Sequence, residues 1–180
     1  MSKRVLCLLF PGFEEIEAIA PVDLLRRAGV EVVMASLTGE KLVAGRCGIT
    51  VQADADLAEV AEQAFDLLLI PGGPGIQAVR KEGRAARLAQ AYSGAGKPVA
   101  AICAAPTVLK DAGLLAGRRF TSHAGVLSEL PESQLQERVV EDGNLVTSRG
   151  AATAVEFGLA LVRRLCGEAT EAEVSKGIMA

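Results

Sequence analysis

The feature that most narrows the fold is an alternation of two periods along the chain. RVLCLLF (4–10), VEVVMAS (30–36), FDLLLI (65–70) and VAAIC (99–103) are apolar runs, as strands covered on both faces must be. Between them lie helix-period segments. EEIEAIAPVDLLRRAG (14–29) carries Ile16, Ile19, Leu24 and Leu25 as an apolar stripe and stops at Gly29; Pro21 is expected to kink it. A polar, Ala-rich helix is predicted at about 83–95 and a short one within APTVLKDAGLL (105–115). An amphipathic helix follows at 152–167, and the tail from Glu168 adds one more. Residues 41–57 read as a hairpin or a short extension punctuated by Gly45 and Gly48, residues 118–123 as an extended segment, and RVVEDGNLVTS (138–148) as a hairpin turning at Asp142-Gly143. Buried strands alternating with helices predict an α/β fold, a parallel sheet with helices on both faces. With no repeat, linker or low-complexity segment, residues 1–180 read as a single domain.

Composition removes several function classes. Lys+Arg 19 against Asp+Glu 22 gives a net charge of −3, without the basic footprint of a nucleic-acid binder or of a protein drawn to acidic membranes. The longest apolar stretches fall far short of the roughly 20 residues of a membrane helix. The opening apolar run ends at Pro11-Gly12, too short for a signal-peptide core, so the reading is cytoplasmic, with thiols kept reduced. One histidine and four dispersed cysteines (7, 47, 103, 166), with no C-x-x-C pair, make a metal site improbable.

In parallel sheets ligands bind beyond the carboxyl ends of the strands. Four such ends carry unusual chemistry here: Pro11-Gly12 with the acids after it, Pro71-Gly72-Gly73, Ile102-Cys103-Ala104, and Ser122-His123. Cys103 sits at a strand-to-helix corner, where a helix start would lower a thiol pKa and small neighbours admit a substrate. Glu14 and Glu15 read as acids complementing the helix dipole. Glu17 lies on a more apolar stretch, where burial would raise its pKa and let it exchange a proton with a thiol. His123 is a packed or surface residue, or a general acid or base beside the thiolate. The glycines at 72, 73 and 75 lack the phosphate-loop spelling and read better as a turn whose amides form an oxyanion hole. Arg149 is a solvated charge or a contact near the site. Cys7 and Cys166 read as core thiols; Cys47 lies in the polar hairpin, with an exposed, oxidisable thiol as the minority alternative.

Taken in order, EEIEAIAPVDLLRRAG, DLLLIPGG, PVAAICAAPTVL, TSH and GNLVTSRG followed by EFGLALV resemble the ThiJ/PfpI family, in its branch of the parkinsonism-associated protein deglycase and small bacterial homologues, over nearly the whole chain. The resemblance implies a flavodoxin-like, Rossmann-like doubly wound domain, usually a homodimer. It implies Cys103 as nucleophile, Glu17 hydrogen-bonded to it, His123 near the thiol, and Gly73 and Ala104, with Gly72, at an oxyanion hole. Arg27 would then lie at the dimer interface. The expected activity is cofactor-independent: a glyoxalase converting methylglyoxal or glyoxal to 2-hydroxy acids, or a deglycase of early glycation adducts. The alternatives are a redox-responsive chaperone or sensor using the same cysteine and, more weakly, a peptidase. Three departures stand out. Ala151-Ala152 replaces the proline and glycine that relatives often carry after the SRG segment. Ala124 replaces a proline after the histidine. Arg46-Cys47-Gly48 puts a cysteine where relatives place a hairpin arginine.

Overall fold

The computed structural model describes residues 2–180. Its main sheet has seven strands: β1 (Arg4–Leu9), β2 (Glu31–Ser36), β5 (Ala55–Asp56), β6 (Leu67–Ile70), β7 (Val99–Ile102), β8 (Val139–Asp142) and β9 (Leu145–Ser148). Their spatial order is β5-β2-β1-β6-β7-β9-β8. All neighbours are parallel except β8, which runs antiparallel along β9 at the edge. From β1 the chain first builds outward through β2 and then returns to the other side through β6. The strand order therefore reverses between β1 and β6, and the carboxyl ends of these two strands open the crevice expected of a doubly wound sheet. β6 and β7 are wholly buried, which explains why their sequences are unbroken apolar runs.

The helices are α1 (Glu15–Arg27), α2 (Leu57–Val60), α3 (Ile76–Glu82), α4 (Arg84–Gly94), α5 (Pro106–Asp111), α6 (Ala154–Cys166) and α7 (Glu168–Gly177). The short strands β3 (Leu42–Ala44) and β4 (Thr50–Gln52) form the hairpin expected at 41–57. The stretch after the glycine turn holds two helices rather than one. Gly83, at φ +87°, ends α3 and starts α4, a left-handed joint that glycine adopts without steric cost. Residues 118–123 are irregular: the Thr121 amide donates to the Thr147 hydroxyl at 3.0 Å, a side chain standing where a ladder partner would be.

α1 departs most from its sequence reading. Ile16 and Ile19, expected in the apolar stripe, are 54% and 37% exposed, whereas Glu14, Glu15 and Glu17 are buried. The helix packs through Ala18, Pro21, Val22, Leu24 and Leu25. Pro21 lies inside the continuous helix, where α6 crosses closely. A Cβ on Gly158 of α6 would lie 3.0 Å from the Pro21 Cα and 2.6 Å from a Leu24 methyl. The tail helix is present as α7, and no helix among the described residues is long and apolar enough to cross a membrane.

Candidate active site

Three strand ends converge at the reversal point. β7 delivers Cys103 with φ +66°, a left-handed conformation rare for a residue with a side chain. Two backbone bonds fix it there: its amide donates to the Ser148 carbonyl and its carbonyl accepts from the His123 amide, each at 2.8 Å. A sharp corner clamped on both sides lifts the side chain out of the strand, the mechanics of a nucleophile elbow. Pro106 then opens α5, whose six residues make a short helix.

β6 delivers the glycine turn. The Gly72 amide donates to Glu17 Oε2 at 3.0 Å, and the Gly72 carbonyl accepts from the Glu14 amide at 3.0 Å. A Cβ on Gly72 would stand 2.7 Å from Glu17 Oε2 and 2.8 Å from the Cys103 Cβ, so the close approach of carboxyl and thiol requires glycine. Gly73 has φ +107°, and a Cβ on it would run into the Gly12 carbonyl. The amides of Gly73 and Ala104 point at the Cys103 sulfur.

β1 and its loop deliver the acids. Glu14 caps α1, its Oε2 accepting from the Glu17 amide at 2.8 Å. Glu15 Oε1 accepts from the Cys47 and Ile49 amides at 2.8 and 3.3 Å, fastening the β3–β4 hairpin to the helix start. Glu17, 1% exposed, shares a hydrogen bond with Cys103. Burial pushes the Glu17 carboxyl up to about 7, helped by the charge of Glu14; the bond to Cys103, the Gly72 amide and the charge of Arg46 act against it.

Burial, then the charge of Glu17 and the bond to it, also raise Cys103, and the Ala104 and Gly73 amides only partly offset them. Beside an ionised Glu17 the helix start alone does not lower the thiol. A six-residue helix and two amides do not overcome burial beside a carboxylate. With both groups raised, the thiol keeps its proton near neutral pH while Glu17 titrates there.

The remaining sequence candidates fall in three places. The exposed His123 ring accepts from the Gly125 amide through Nδ1 at 3.0 Å. Arg149 is half-buried, donating from Nη1 to the Leu135 carbonyl at 3.0 Å, and both residues border one cavity. Arg27 pairs with Asp23 at 2.7 Å at the other end of α1 from Glu17, about 15 Å along the axis, so it is not brought to Cys103 within this chain. Cys7 is buried and its thiol pushed up to about 12 by burial; Cys166 is half-buried rather than core, and Cys47 is exposed. Sequence reasoning missed Glu15 and Arg46. Glu15 was read as a dipole acid, and Arg46 as displaced, yet the Arg46 charge acts on both Glu15 and Glu17.

Known proteins share this arrangement of sequence and fold. The model of the DJ-1/PfpI family matches residues 3–164. Drosophila melanogaster Protein dj-1beta is 39% identical, covering 99% of this chain and 98% of its own. A Pyrococcus abyssi protein named as a deglycase is 39% identical, covering 81% of this chain and 89% of its own. The crystal structure of Drosophila melanogaster DJ-1beta superposes with a TM-score of 0.92 at 38% identity, covering 100% of this chain and 99% of that one. That of oxidized Toxoplasma gondii DJ-1 gives 0.93 at 31%, covering 99% and 98%. The match runs through the elbow, the glycine turn and the acidic helix start: this chain belongs to the DJ-1/PfpI family.

Proposed function

We propose that the chain is a cofactor-independent cysteine enzyme acting on reactive carbonyls. The observation that carries this reading is the hydrogen-bonded pair of Cys103 and Glu17 at the strained elbow, with the Gly73 and Ala104 amides facing the sulfur. The substrate is methylglyoxal or glyoxal, or the early adducts they form with protein side chains. The thiol proton passes to Glu17 as the sulfur attacks the aldehyde carbon. Glu17 returns that proton to the new oxygen, which the two amides receive, giving a hemithioacetal. Ionised Glu17 then takes the proton from the former aldehyde carbon and delivers it to the neighbouring carbonyl carbon. His123, with Nδ1 occupied by Gly125, hands its Nε2 proton to the oxygen on that carbon while the proton leaving the hemithioacetal hydroxyl replaces it, so the thioester carbonyl forms with no net proton change. The resulting thioester is hydrolysed by water, releasing the 2-hydroxy acid and the thiol, so the net reaction adds one water to the substrate.

A homodimer formed through the exposed side of α1 is part of this proposal. So is the placing of Arg27 near the partner's site. A redox-responsive chaperone or sensor is the rival use of the same cysteine, with the two amides positioned to hold oxygens added to the sulfur. Glutathione-free turnover of methylglyoxal to lactate by the purified protein tests the enzyme. It is expected for the wild type, lost in Cys103→Ser and kept in Cys166→Ser; turnover unchanged in Cys103→Ser would overturn the assignment.

A further inference from the structure

The cavity beside the elbow is larger than a three-carbon aldehyde needs. It measures about 370 Å³, within the range of pockets that enclose ligands of drug size. Ser122, His123, Leu135, Arg149, Ala151 and Thr153 are among its walls, and no acidic side chain lines it. Cys103 does not line it, but two of its walls are tied to the Cys103 corner. One wall starts at His123, whose amide is bonded to the Cys103 carbonyl, and the other follows Ser148, whose carbonyl takes the Cys103 amide.

The charge on these walls is unbalanced. Arg149 donates to the Leu135 carbonyl, a neutral acceptor that leaves the guanidinium charge uncancelled. No carboxylate among the described residues lies within ion-pair distance of it. Glu156, whose carboxyl feels the Arg149 charge, is itself held by Arg138 at 2.6 Å. Across the cavity His123 accepts through Nδ1, which in the neutral ring leaves the proton on Nε2 as a donor. A planar guanidinium and an imidazole N–H, in a cavity also lined by small Ala151 and Ala152, suit a carboxylate.

We propose that this cavity receives a carboxylate borne by the substrate several bonds from the carbonyl that Cys103 attacks, with Arg149 as the specificity-determining residue. The preferred substrate class is then an anionic adduct, such as the hemithioacetal of methylglyoxal with a carboxylate-bearing thiol, over the free neutral aldehyde. The covalent step rests on Cys103 as nucleophile; the anion selection does not depend on turnover. The overall charge of −3 opposes anion approach, so any preference for anions is local.

The test uses Cys47→Ser protein, which removes the exposed competing thiol. Cys103 is labelled with N-ethylmaleimide and with maleimides carrying a carboxylate on alkyl tethers of increasing length. Rates are read at the Cys103 peptide by mass spectrometry and normalised to free N-acetylcysteine. One tether length should outpace the neutral reagent. That advantage should fall about tenfold in Arg149→Met, the effect of one charge-assisted hydrogen bond. It should be partly kept in Arg149→Lys and should shrink with added salt in the otherwise unsubstituted protein. Equal, salt-independent ratios across all tethers would overturn the proposal, and failure of Cys103 to label at all would overturn it together with the nucleophile. A parallel assay compares the methylglyoxal hemithioacetals of N-acetylcysteine and N-acetylcysteinamide. Turnover of neither counts against the enzyme while the labelling ratios still decide the cavity; equal turnover of both counts against the cavity alone.

Discussion

Glu17 concentrates the chemistry and supplies the sharpest pH test. Its carboxyl is raised to about 7, so the folded chain binds a proton there that the unfolded chain releases near 4.5. The stabilisation from that proton is therefore fully present below about pH 4.5 and disappears as pH rises through about 7. Coupling to Cys103 keeps the total under about 3 kcal/mol. Glu17→Gln should flatten this part of the stability–pH curve in urea titrations and abolish methylglyoxal turnover while leaving the fold intact. Wild-type turnover in that variant would remove Glu17 as the proton carrier and leave His123 in its place. Arg46 favours the ionised form of Glu17, so Arg46→Gln should move the Glu17-dependent limb of the kcat/KM profile to higher pH and Arg46→Lys should restore it. An unmoved limb would mean that solvent screens the charge. Cys103 and Glu17 were legible because corner chemistry and a buried stretch are local patterns. The roles of Arg46 and Glu15 were not, because they depend on a hairpin about thirty residues away folding back onto a helix start.

That fold-back explains why the apolar stripe of α1 was misread. Helical spacing fits Ile16 and Ile19 as well as it fits the acids, and only the partners decide which face turns inward. The inner face meets backbone donors at Gly72, Cys47 and Ile49, so Glu17 Oε2 and Glu15 Oε1 find partners there, Glu15 Oε2 stays buried without one, and the isoleucines are turned out. Glu15→Ala should unfasten the hairpin. Hydrogen exchange at the Cys47 and Ile49 amides is expected to accelerate while strand amides in β6 and β7 keep their protection; unchanged exchange would show that the Gly12–Ala44 and Arg46–Phe13 backbone bonds hold the hairpin alone. The same inner face makes a separate prediction further along α1. Gly158→Ala places a methyl 3.0 Å from the Pro21 Cα, backbone that cannot yield as the Leu24 side chain can. A loss of about 1–3 kcal/mol in urea unfolding is expected from such overpacking; a neutral effect would mean that α6 slides along α1 without strain. The strand runs and the sheet's parallel character were readable from burial alone, whereas the α3–α4 joint turns on the left-handed conformation of one glycine.

The outward isoleucines bear on assembly. Ile16 and Ile19 lie on an exposed strip of α1, and Ile49, 59% exposed, sits on the hairpin that Glu15 fastens beside them. An apolar strip next to the Glu17 carboxylate is costly to leave in water, and a second copy can cover it through the self-complementary contact that two-fold symmetry requires. A stable contact of standard size takes about 800 Å² from each copy, roughly a tenth of the 8121 Å² surface here. Two α1 helices meeting antiparallel across such an axis would carry each Arg27 toward the acidic start of the other helix. Such a contact would bring Arg27 to a Cys103 site, whereas within one chain it stands at the far end of α1. Light scattering should therefore give twice the 18.7 kDa chain mass at micromolar concentration. Ile16→Asp with Ile19→Asp should give monomers, and Arg27→Ala should alter turnover only in protein that still dimerises. A wild-type monomer, or an Arg27→Ala effect that persists in the monomeric variant, would show that this face has another partner and that Arg27 acts within its own chain.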